Sequence, residues 1–120
     1  QFIKDLSQIA AEQVFFIHNE DKMELSNTFG KHGIEVGEGF DLHMIQICNP
    51  QKASKSLAAN PERAALMPKF ITTFSKAGKV QIRMLVYGTK LVGSLLDDPD
   101  FPGSLEASYN KIIDMIGQAK

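Results

Sequence analysis

Gln46-Ile47-Cys48-Asn49-Pro50 constrains this chain more than any other stretch, because it fixes a change of backbone geometry at one point. The apolar residues up to Cys48 favour a strand. Asn49 is a good helix cap and Pro50 a good first helical residue. Leu66-Met67-Pro68-Lys69, sixteen residues after Pro50, brings the chain back, since the residue before a proline avoids helical geometry. The layout is strand, turn, short helix and return.

The remaining periodicities extend this layout. Phe2, Ile3, Leu6, Ile9, Ala10 and Gln13 trace a helical stripe. Val14 to His18 reads as a strand of β-branched and aromatic residues. Leu25 and Phe29 suit a short helix, and four glycines between Gly30 and Gly39 form a permissive turn region. Phe40 to Cys48 is the clearest strand. Phe40, Leu42, Met44 and Cys48 alternate with Asp41, His43, Ile45 and Ile47. The helix after Pro50 is expected to bury Ala53, Leu57 and Ala58 and to stop at Asn60-Pro61. Lys69 to Ser75 and Val80 to Tyr87 read as a hairpin turning at Ala77-Gly78. Thr89 is placed to cap a helix carrying Leu91, Val92, Leu95 and Leu96, stopped by Asp97-Asp98-Pro99. The last helix opens near Pro102 with the stripe Leu105, Tyr109, Ile112, Ile113 and Ile116. The order is α+β, and with no repeat or linker the expectation is one domain over residues 1–120.

Composition narrows the function classes. Hydrophobic residues are 43% and charged residues 22%, so a packed core is expected. Thirteen basic and fourteen acidic residues give a net charge of -1, and no two Lys or Arg are adjacent. Electrostatic nucleic-acid binding is therefore not expected. The single cysteine, Cys48, excludes an intramolecular disulfide and a Cys-x-x-Cys motif. No apolar run has the length to span a bilayer. The glycines match neither GxGxxG nor a GxxxxGK[ST] loop. The chain begins at Gln1 rather than Met, which implies a removed leader or preceding segment. Compartment is left open.

Cys48-Asn49-Pro50 after an apolar strand, Leu57 in the next helix, Pro61, Pro68 and the Gly78-Lys79-Val80 turn resemble a bacterial and archaeal family, domain of unknown function 302. The resemblance covers Val14 to Tyr87, with the last helix compatible. It implies a two-layer fold like that of the TATA-binding protein, a curved antiparallel sheet backed on one face by helices. It also implies a homodimer. Two departures stand out. Many members carry Pro-Cys where this chain has Pro68-Lys69, so thiol chemistry tied to that cysteine is absent. Many also begin with a strand before the first helix, and almost nothing precedes Phe2 here. The family carries over no catalytic residues.

The candidate chemistry is sparse. His18, His43, Arg83 and Tyr87 are expected on the sheet face away from the main apolar face, where they would hold an anionic or planar small molecule. The plainer reading is a solvated face or a dimer contact. Ile45, Ile47 and Leu85 are expected to make that same face partly apolar. Cys48 precedes a helix N-terminus, which favours a thiolate, but no base is identifiable and burial is the commoner state. His43 and Met44 point opposite ways on one strand, so they do not ligate one metal. Asp97, Asp98 and Asp100 lack the pattern of a calcium loop and read as a helix stop with solvated charges. The leading expectation is a non-catalytic small-molecule-binding or protein-interaction module, homodimeric, of open cofactor. The alternative is an enzyme or a redox or metal partner protein with a site near Cys48 and His43.

Overall fold

The strand-to-helix switch at Asn49 is built as its residues dictate. The Asn49 Oδ1 accepts the Lys52 N–H at 3.1 Å, and Pro50 occupies the first turn, where its missing N–H costs nothing. The computed structural model describes residues 1–120. In chain order it contains α1 (Phe2–Glu12), β1 (Phe16–Ile17), α2 (Leu25–Lys31), β2 (Leu42–Cys48), α3 (Pro50–Ala59), a 3-10 turn (Pro61–Leu66), β3 (Phe70–Lys76), β4 (Lys79–Met84), α4 (Thr89–Leu95) and α5 (Phe101–Ala119). The fold is α+β, with a curved, open antiparallel sheet of order β1-β2-β3-β4.

Two compact units are present. One comprises Gln1–Phe16, Cys48–Pro68 and Val86–Lys120, and the other Ile17–Ile47 and Lys69–Leu85. In the first, α5 is the organising element, with α1 and α4 packed on it and α3 packed on the 3-10 turn. Phe101, Leu105, Tyr109, Ile112, Ile116 and Ala119 recur at helical spacing and are buried. Ile113 and Met115 flank this stripe on opposite sides. Met115 is buried and Ile113 is exposed, contrary to the periodicity reading. On α4 only Val92 is buried, while Leu91 and Leu95 are exposed. Likewise α3 buries no residue fully: Ala53 and Leu57 are half-buried and Ala58 is exposed.

Val14 is not a strand residue. It adopts φ 59°, donates its N–H to the Ala11 carbonyl, and is followed by Phe15 donating to Ala10. This is a Schellman end to α1, with a β-branched residue where glycine is usual. Phe15 is buried beside it, so strand geometry starts only at Phe16.

The second unit holds the sheet. β3 and β4 join through Ala77 and Gly78, at φ 55° and 75°, the two positive values that a tight hairpin turn requires. The strand β4 ends at Met84, short of the expected Tyr87. On the β1 side, Asn19 completes the ladder with its side chain. Its amide donates to the Met44 carbonyl and accepts the Gln46 N–H, both at 2.8 Å.

Candidate functional site

The register of β2, β3 and β4 sorts their side chains onto two unlike faces. His43 stands opposite Thr73 and Ile45 opposite Ile71, with Ile82 and Met84 continuing these rows on β4. Ile45, Ile47, Ile71 and Thr73 are buried. On the other face Leu42 pairs with Phe74, Met44 with Thr72 and Gln46 with Phe70, followed by Gln81 and Arg83 on β4. These side chains are half-buried, and Arg83 is exposed.

The four side chains expected to act together are not gathered on one face. His43 is on the buried face, and Arg83 is on the opposite one. Thr73 faces both His43 and Ile82, so odd positions of β2 share a face with even positions of β4. Register decides this parity, and neither strand reveals it alone. Ile45 and Ile47 therefore belong to the core face rather than to the face of Arg83. His18 is exposed just past β1 and donates its N–H to the Gln46 carbonyl at 2.8 Å. Tyr87 lies outside the strands, its backbone hydrogen-bonded with the Tyr109 hydroxyl.

Two small polar groupings remain on the sheet. His43 Nδ1 is 3.4 Å from Asp41 Oδ1, and Ser75 Oγ donates to Asp41 Oδ2 at 2.8 Å. The carboxylate stands between hydroxyl and imidazole. The serine proton is thus committed to Asp41 rather than to His43, unlike an activated nucleophile. Arg83 folds over the Phe74 ring, 5.7 Å from its centroid, and donates to the Ile82 carbonyl at 2.9 Å and to Gln81 Oε1 at 3.3 Å.

Cys48 closes β2 and is half-buried, not fully buried as expected. Strand alternation turns it away from the face of His43. No three His, Cys, Asp or Glu side chains come close enough to hold a metal ion. No helix is long and apolar enough to cross a membrane.

The family model "Domain of unknown function DUF302" matches residues 1–119. The chain belongs to the DUF302 family. The match extends beyond the Val14–Tyr87 stretch that carries the sequence resemblance. Among solved structures, the crystal structure of an uncharacterized conserved DUF302 protein from Bacillus stearothermophilus is similar. It has a TM-score of 0.79 and 18% identity, covering 99% of this chain and 88% of that one. At that identity the likeness speaks for the fold. No curated protein matches.

One constellation in this DUF302 chain escaped the sequence reading. Asp98 is buried rather than solvated. It accepts Arg63 Nε at 2.6 Å, Arg63 Nη2 at 2.9 Å and Asn60 Nδ2 at 3.0 Å. It also takes the N–H groups of Asp100 and Phe101, both at 3.2 Å, and so caps the start of α5. Arg63 reaches Ser56 Oγ at 3.1 Å and lies 5.3 Å from the Phe101 ring centroid. The Arg63 guanidinium and Asn60 amide hold the Asp98 carboxyl far below the usual range, against the opposing effect of burial. Every polar atom is used internally, so the cluster ties the α3–turn junction to α5 and presents nothing to a ligand.

Proposed function

We propose that this chain is a non-catalytic interaction module that works as a homodimer, using the half-buried sheet face of the second unit. The observation supporting this is the make-up of that face. Leu42, Met44, Phe70 and Phe74 are all apolar, and Leu85, 68% exposed, follows Arg83 just past β4. Apolar groups clustered on a wet face usually mark a contact. A second copy is the simplest occupant, because symmetric pairs are the commonest oligomers and such a face meets itself without a buried charge. Arg83 covers the Phe74 ring while keeping its charge at the rim. The family match over residues 1–119 supports reading the chain as one domain. Sedimentation at micromolar concentration tests the proposal. Wild type should run at twice the chain mass and Leu85→Asp should shift toward monomer; a strictly monomeric wild type would end the dimer reading.

A second reading, small-molecule binding, rests on the grouping of Asp41, His43 and Ser75. The imidazole and hydroxyl there suit a small polar ligand. In that reading Arg83 belongs to the contact face, and His18 and Tyr87 serve apart from it. Ultraviolet-visible absorption and intact mass of purified protein would reveal a tightly held group.

A further inference from the structure

The outer edge of β4 carries more than the fold requires of it. The hairpin with its leading residue, Lys69 to Met84, contains Lys69, Lys76, Lys79 and Arg83 and no Asp or Glu. Lys76 and Lys79 stand directly opposite each other at the turn, a like-charge pairing that opposes hairpin formation. No carboxylate pairs with either lysine or with Arg83. Asp41, which meets Ser75, lies on the β2 side of β3, away from the β4 edge.

The backbone of β4 shows which groups are free for pairing. Thr72 Oγ1 donates to the Arg83 carbonyl at 3.3 Å, so that carbonyl faces β3. Successive carbonyls alternate, so the Ile82 carbonyl faces outward, with no strand beyond it. Its partner is instead the Arg83 guanidinium, at 2.9 Å. Arg83 is thus a removable cover on an open strand edge. A carboxylate arriving beside the edge would draw the guanidinium onto itself and release the Ile82 carbonyl to accept a backbone N–H.

We propose that the β4 edge receives an extended acidic segment of a partner protein as a fifth strand, with Arg83, Lys79 and Lys76 pairing its carboxylates. Charge complementarity selects this occupant. A second copy docking β4 against β4 would set the Lys79 and Arg83 of both chains, two lysines and two arginines, along one seam, so the backbone edge calls for an acidic occupant rather than a second copy, although Arg83 also borders the dimer face. Backbone pairing supplies register and the cations supply selectivity.

Fluorescence anisotropy with the purified chain tests this, using two labelled peptides, one alternating Val and Glu and one alternating Val and Gln. The Glu peptide should bind at least about tenfold more tightly than the Gln peptide. Either Lys79→Glu at the exposed start of β4 or Arg83→Gln should remove most of that preference. N-methylation of alternate peptide nitrogens on the pairing edge should abolish binding, which charge attraction alone would not require. Circular dichroism would confirm that both variants remain folded. Equal binding of the two peptides, or binding indifferent to N-methylation, overturns the proposal. Sedimentation of the Lys79→Glu samples separates this outcome from the dimer question, because Lys79, beside the turn, is outside the apolar contact face and its variant should leave the chain's mass in solution unchanged.

Discussion

Arg63 grips Asp98 at two points, Nε to Oδ2 at 2.6 Å and Nη2 to Oδ1 at 2.9 Å, across thirty-five positions of sequence. The same carboxylate caps α5. Replacing Asp98 with Asn keeps one acceptor for the helix start but strands the guanidinium, so thermal unfolding should move to clearly lower temperature. Because the folded carboxyl is held below its ordinary value near 3.8, its stabilisation is complete above that value. It is lost as pH falls through the depressed folded value. Stability curves of wild type and Asp98→Asn should therefore converge on acidification below about pH 4. Parallel curves would contradict the role.

Tyr109 sets the opposite limit. Burial pushes its phenol above the ordinary value of 10.0, partly offset by the Tyr87 backbone bond. Its contribution is complete below that value and lost as pH rises through the raised one. Tyr109→Phe should reduce the alkaline loss of stability, as measured by urea midpoints above pH 10. An unchanged alkaline profile would count against it.

Asn49→Ala should destabilise the protein by about 0.5–2 kcal/mol, the usual loss of an N-cap. Urea unfolding measures this. No change would mean that the Lys52 N–H bond contributes nothing in solution.

Val14→Gly should stabilise by about 1 kcal/mol. The left-handed conformation costs a residue with a Cβ about that much or more, and Val14 is exposed, so little packing is lost. A lower melting temperature would show that the valine side chain contributes more than its backbone strain takes away.

These positions also show what the sequence made legible. Asn49-Pro50 and Ala77-Gly78 act locally, so their residue types announced a cap and a turn. The last helix was visible from its stripe, although the choice between Ile113 and Met115 depends on neighbouring helices. Val14 misled because β-branched residues favour strands, while a hydrogen-bonded helix end overrode that preference. The division of His43 from Arg83 follows from strand register, which spans β2, β3 and β4. The Arg63–Asp98 pair left no local trace, since neither residue's neighbours indicate a partner so distant in sequence.

The central claim is that the face bearing Leu42, Met44, Phe70 and Phe74 meets its own copy. Isotope-filtered nuclear Overhauser spectra on a mixture of methyl-labelled and unlabelled chains test it most directly. Intermolecular signals should connect the Leu42, Met44 and Leu85 methyl groups with aromatic protons of the other chain. Their absence in a sample that sediments as a dimer, or signals confined to Leu91 and Leu95 of α4, would contradict the account.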